Sequence, residues 1–187
     1  MSGRALTPTQ IRYVIGDATD QEVVDGPKII AHVCNDIGLW GRGFVVAVSN
    51  RWPEPEQRYR QTWSEWQRET LPLGGVQLVP VRGAGPRRLW VVNMIAQRGV
   101  RSTGNPVPIQ YDALRKCLHQ VAMCARQWGA SVHLPRIGCG LAGGTWNKVE
   151  PLIEAELCAL GVPVTVYDLP QRRQQQAGQE SREEHNA

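Results

Sequence analysis

The chain predicts an α/β domain of three layers, with helices packed on both faces of a central sheet. Apolar β-type runs alternate with amphipathic helical stretches along its length. Two glycine-rich loops follow directly on such runs, and 187 residues at 42% hydrophobic suit one domain with a single core. Sheets of this kind bind ligands at the C-terminal ends of their strands, which is where both glycine loops fall.

Taken in order, residues 12–15 and 28–34 read as strands. Between residues 53 and 69, Tyr59, Trp63 and Trp66 fall at i, i+4 and i+7 and mark one face of a helix, where packing accounts for the aromatics better than base stacking. Residues 76–81 and 89–95 are apolar runs separated by Arg82-Gly83-Ala84-Gly85-Pro86, which predicts a meander. From 108 to 128, Tyr111, Leu114, Leu118, Val121, Ala125 and Trp128 recur at helical spacing, with Gly129 as the stop. Residues 131–134 form the next strand. Val149, Leu152, Ile153, Leu157 and Leu160 then line one face of a helix closed by Gly161; because proline suits a first turn and not an interior, its start is placed at Pro151 after an irregular turn over 145–150. Residues 162–169 are the last strand. The domain thus spans 11–169, between a flexible N-terminus (1–10) and a polar, Gln-rich disordered tail (170–187).

Composition narrows the function. No apolar stretch approaches the roughly 20 residues that span a bilayer, and the first residues contain no apolar segment of a signal peptide, so the expectation is a cytoplasmic protein without membrane partners. Five cysteines (34, 117, 124, 139, 158) with no C-x-x-C pair indicate neither a disulfide framework nor a zinc site, and no metal or cofactor is expected. Cys117 and Cys124 read as core. The net charge of +4 rests on 18 Arg against 3 Lys, mostly within 11–169. A positive core suits an anionic ligand and leaves nucleic acid open, but no basic cluster is interleaved with aromatics as in a strand-binding groove.

The loop at 135–144, Pro-Arg-Ile-Gly-Cys-Gly-Leu-Ala-Gly-Gly, places four glycines in seven positions between a strand and a helix. Glycine reaches positive φ and lets backbone approach closely, so N–H groups can converge on an anion, aided by the helix dipole. A second such loop, 35–44, follows the run 29–34. Two loops of this kind can grip the two ends of a pyrophosphate. Neither matches a nucleotide signature: Gly41-Arg42-Gly43 lacks the third glycine of the dinucleotide fingerprint, and no P-loop occurs.

Gly16-Asp17 after the first strand, Ala31-His32 leading to Gly41-x-Gly43, the run Pro135-Arg136-Ile137-Gly138-Cys139-Gly140-Leu141, Trp146, and the ending Thr165-Val166-Tyr167-Asp168-Leu169 together resemble a macrodomain, a three-layer α/β/α fold around a mixed sheet. The chain is similar to the branch that holds the terminal ADP-ribose protein glycohydrolase and the yeast ADP-ribose-1″-phosphate phosphatase, and resembles stand-alone actinobacterial macrodomains. The resemblance implies ADP-ribose as ligand, with mono-ADP-ribosylated proteins as its carriers; nucleic acid is not the expected partner, ADP-ribosylated ends being the one form left open. Asp17 would accept from the adenine amino group beside the Ala18 backbone, although an Asp after a strand is ordinarily a turn residue. Asn35 would meet the distal ribose. Gly41, Arg42, Gly43 and Phe44 would embrace one side of the pyrophosphate and ribose; Gly138, Cys139, Gly140, Leu141, Ala142 and Gly143 would supply backbone donors from the other, and Leu169 would wall the adenine.

In the glycohydrolase branch a lysine after the central strand and an aspartate after Gly-Cys-Gly-Leu carry catalysis. Here those positions are Gln97 and Ala142, so the covalent mechanism does not transfer. The expectation is a hydrolase that removes mono-ADP-ribose from acidic side chains by a water held by Asn35 or Asp36 and the ligand phosphate. The alternatives are an ADP-ribose-1″-phosphate phosphatase and a non-catalytic reader.

Overall fold

The computed structural model describes residues 7–20, 26–66, 69–82 and 88–170. Six strands, β1 (Ile11–Ile15), β2 (Lys28–Asn35), β3 (Val76–Val81), β4 (Leu89–Gln97), β5 (Ser131–Pro135) and β6 (Val164–Asp168), form one sheet in the order β1-β6-β5-β2-β4-β3. All neighbours are parallel except β3 and β4, whose antiparallel pairing is the predicted meander. Its turn lies largely outside the described residues, as does nearly all of the C-terminal tail.

Side chains alternate across β2, as a strand buried on both faces requires. Ile29 and Ala31 join the larger core beneath α3 (Tyr111–Trp128) and α4 (Trp146–Glu156). Ile30 and Cys34 pack on the opposite face, towards α1 (Phe44–Arg51) and α2 (Glu54–Glu65). The result is three layers.

Two helix expectations are corrected. The last helix starts at Trp146 and carries Pro151 in its interior. Pro151 forgoes one backbone bond on an exposed face, while Val149 and Ile153 are completely buried and hold the helix down. Helix α2 ends at Glu65, which leaves Trp66 as its half-exposed C-cap beyond the packed face of Tyr59 and Trp63. Within the N-terminal stretch read as flexible, Thr9 is tied to the domain: its amide donates to Cys158 O at 2.9 Å and its hydroxyl to Val162 O at 2.6 Å.

Two irregularities in the sheet prepare a site. The β2–β5 register covers only Lys28–Ser131, Ile29–Val132 and Ile30–His133, so the C-terminal ends of these strands part. On the other side of β2, the register with β4 shifts between Cys34 and Asn35, a bulge that sets Asn35 opposite Gln97.

Candidate ligand-binding site

A cavity of about 660 Å³ opens where β2 and β5 part. Its two long walls are the glycine loops, with Gly41, Arg42, Gly43 and Phe44 on one side and Gly138, Gly140, Leu141 and Ala142 on the other. Asn35, Gln97 and His32 also line it, and the loop after β4 adds Val100 and Arg101.

The backbone of both walls has donors to spare. In the second loop Gly144 N–H bonds Gly138 O at 2.8 Å and Gly143 N–H bonds Gly140 O at 3.0 Å, which curls the loop. Among the described residues the amides of Gly138, Gly140, Leu141 and Ala142 then have no partner in the protein, nor do those of Gly41, Arg42 and Gly43 opposite. Gly138 (φ 72°) and Gly43 (φ 77°) need the left-handed region that glycine reaches without strain. Free amides in this arrangement form an anion cradle.

Asn35 lines the cavity, but most of its side chain is spent on the loop it begins. Its Oδ1 accepts from Ile37 N (3.1 Å), Leu39 N (3.0 Å) and Tyr59 Oη (2.8 Å), and its Nδ2 donates to Leu39 O (2.5 Å). Asp36 is 1% exposed and lies outside the lining; its Oδ1 accepts from Gly99 N at 2.7 Å. Gln97 assists by donating to Gly99 O at 2.8 Å. The residues expected to hold water therefore also hold loops.

Others of the expected set lie outside the lining. Asp17 Oδ1 accepts from the amide and hydroxyl of Thr19, both at 2.8 Å, the turn role its position suggested. Ala18 is buried, Leu169 is exposed, and both sit with Asp17 at the ends of β1 and β6. Gly143 packs under the 106–107 backbone, and the half-buried Cys139 turns back through its amide to Arg136 O.

Among the described residues no activated nucleophile faces the cavity. Burial pushes the Cys34 thiol up well above its usual range, and burial likewise raises Cys139. His32, bonded through Nε2 to Asn93 Oδ1 (2.8 Å) and flanked edge-on by Trp40, is held down to about 4 by burial and stays neutral. Among the described residues that line the cavity, none is Asp, Glu or Lys.

Sequence reasoning assigned no role to two cations of this site. Arg136 opens the second glycine loop, pairs with Asp168 through Nε and Nη2 (2.6 and 2.7 Å), and lies over the rings of Tyr13 and Trp146 (4.8 and 4.4 Å). The Asp168 bonds raise its pKa and lower that of Asp168. Its partners come from three other elements, so only its place in the motif was legible. Arg101 stands in Gly99-Val100-Arg101-Ser102-Thr103-Gly104, whose glycines were a signal for another strand-end loop.

No family model matches the chain. A solved macrodomain protein from Streptomyces coelicolor is 51% identical, with 85% of this chain and 99% of that one covered and a TM-score of 0.72. A Bacteroides thetaiotaomicron protein of unknown function is 47% identical, with 89% and 100% covered and a TM-score of 0.76. Among curated proteins, mouse chromodomain-helicase-DNA-binding protein 1-like is 35% identical over 174 residues, 90% of this chain. The chain spans only 19% of that relative's length and 16% of the zebrafish counterpart's. Human ADP-ribose glycohydrolase OARD1 is 24% identical over 86% of this chain and 93% of its own, and the Lodderomyces elongisporus ADP-ribose 1″-phosphate phosphatase 23% over 84% and 99%. A Thermosipho africanus DarTG structure in complex with ADP-ribose shares the fold at 18% identity, with 94% of this chain and 46% of that one covered and a TM-score of 0.63. With half its residues shared along nearly the whole of the Streptomyces protein, this chain belongs to the macrodomain family.

Proposed function

We propose that this macrodomain binds ADP-ribose across the ends of β1, β6, β5, β2 and β4 and hydrolyses the bond that joins it to an acidic side chain of a protein. The observation that carries the reading is the pair of facing walls with unpartnered amides, sized and placed for a pyrophosphate. Relatives matched along nearly their whole length carry names that state action on ADP-ribose, which supports the ligand.

The cavity's chemistry favours an acyl-linked substrate. A carboxylate leaves the anomeric carbon as a stable anion and needs no proton from the protein. That suits a lining whose described residues include no Asp, Glu or Lys and whose histidine is neutral. Water attacks the anomeric carbon, the C–O bond to the carboxylate breaks, and the water's proton passes to the ligand's phosphate, while the loop amides hold the pyrophosphate in place. Asn35 positions this water from the cavity wall, and Asp36 acts from behind through Gly99.

A second reading, a binder without turnover, is favoured by the same absence of a general base in the lining. One experiment separates them. Incubation with a glutamate-ADP-ribosylated protein and, in parallel, with ADP-ribose-1″-phosphate, followed for released products, is expected to show release from the protein alone. Phosphate release alone would make the protein a phosphatase, and saturable ADP-ribose binding with no product from either would make it a reader.

A further inference from the structure

Three loops frame the mouth of the cavity, 36–43, 98–110 and 136–145, and their charges are one-sided. They contain Arg42, Arg98, Arg101 and Arg136 against a single acid, Asp36. That acid is buried and bonded to Gly99 N, and Arg136 is answered by Asp168. Among the described residues Arg98 and Arg101 have exposed side chains with no carboxylate partner.

Their loop is a firm platform. Gly99 is held at both ends, its amide by Asp36 and its carbonyl by Gln97. Asn105 Nδ2 donates to the carbonyls of Arg98 (2.8 Å) and Val100 (3.2 Å), Ser102 and Asn105 exchange backbone bonds at 3.1 Å, and Arg98 N–H bonds Pro108 O at 2.9 Å. Two guanidinium groups thus project from a loop whose own hydrogen bonds do not use them.

Position gives these charges a task. A ligand whose base sits at Asp17 after β1 would reach the loop after β4, four places along the sheet order, by crossing the opening between β5 and β2. The pyrophosphate is met on the way by backbone amides. The loop of Arg98 and Arg101, of which Arg101 lines the cavity, would then face whatever is joined to the second ribose.

We infer that the 98–105 loop selects acidic protein segments, its Arg98 and Arg101 pairing with carboxylates that flank the modified residue. The inference rests on the ADP-ribose reading above and concerns the polypeptide side of that same site.

The test uses two peptides, each bearing one ADP-ribosylated glutamate, with flanks of Asp and Glu in one and Ser and Gln in the other. Binding and release are measured for the full chain and for the double variants Arg98→Ala/Arg101→Ala and Arg98→Glu/Arg101→Glu, with free ADP-ribose in a separate titration. The wild-type protein should prefer the acidic peptide by about fivefold at low salt, as two exposed ion pairs allow. The preference should vanish at ~1 M salt, where screening acts within ~3 Å, vanish in the alanine variant, and reverse in the glutamate variant. Equal affinity for the two peptides in the wild type, or a preference that survives both variants, overturns the inference. So does a variant that loses affinity for an ADP-ribosylated oligonucleotide while ranking the peptides as the wild type does. Absence of ADP-ribose binding by the wild-type protein would be seen in the separate titration and would overturn the underlying reading itself. A protein that binds the peptides without releasing product still ranks them, so the loop's role is decided either way.

Discussion

The carboxylate of Asp36 accepts a hydrogen bond from the backbone amide of Gly99 at 2.7 Å and so ties the loop after β2 to the loop after β4. Asp36 is buried, and this contact spans 63 residues of sequence. Replacement by Ala leaves the amide of half-buried Gly99 without its acceptor, which costs about 1–3 kcal/mol. Asp36→Ala should lower the denaturation midpoint and speed amide exchange at Gly99, both measurable by hydrogen exchange with mass spectrometry. Gln97→Ala removes only a neutral bond to Gly99 O and should be milder in stability and turnover. Equal protection of Gly99 in wild type and Asp36→Ala would refute the tie.

The Asn35 side chain makes four hydrogen bonds to three residues, Ile37 and Leu39 in its own loop and Tyr59 on α2. Asn35→Ala is expected to destabilise the fold by about 2 kcal/mol and, if water is held at this wall, to cost turnover more than ADP-ribose affinity. Steady-state rates beside a calorimetric titration check this. A variant that turns over normally would remove Asn35 from the reaction.

The glycine loops separate space from ligand approach. At Gly140 a Cβ would meet nothing within 4 Å, and its φ is not positive. Gly140→Ala should therefore fold as the wild type and lose ADP-ribose affinity, because the methyl group intrudes where backbone meets phosphate. At Gly143 (φ +70°) a Cβ would lie 2.5 Å from Pro106 O, so Gly143→Ala should damage the fold itself. Thermal melts with and without ADP-ribose distinguish the two; a Gly140→Ala protein that is stable and binds normally would displace the anion cradle.

Two buried histidines make stability pH-dependent. Burial lowers both His32 and His133 to about 4 from an unfolded value of 6.5. Between these values the unfolded chain binds protons that the folded one refuses. Their contribution is complete above about 6.5, is lost as pH falls towards about 4 at about 1.4 kcal/mol per pH unit for each ring, and levels off below. Denaturant midpoints measured from pH ~7 to ~4 should show this slope, reduced in His133→Gln. An unchanged slope in that variant would exclude His133 as a source.

Arg136 bonds Asp168 and lies over Tyr13 and Trp146 at the head of the second loop. Arg136→Lys keeps the charge but cannot reproduce the two-pronged bond and planar stacking. It should weaken ADP-ribose binding almost as much as Arg136→Ala, by titration calorimetry. Full affinity in the lysine variant would reduce Arg136 to a point charge.

The alternation of strands and helices, the meander and the glycine loops at strand ends were legible in the sequence, because each rests on local periodicity or on backbone freedom at single positions. The sequence also determined the family, through short motifs in a set order. It misplaced the start of the last helix, since Pro151 argues locally against a helix that burial of Val149 and Ile153 enforces. Packing settles that β2 and β5 part after Ile30 and His133, that a bulge sets Asn35 against Gln97, that Asp36 reaches Gly99 and Arg136 reaches Asp168, and that Arg98 and Arg101 have no such partners among the described residues. The physical reason is common to all of them. A polar side chain's role depends on whether its hydrogen-bonding capacity is spent within the protein or left for a ligand, and that is settled by groups distant in sequence which only packing brings together.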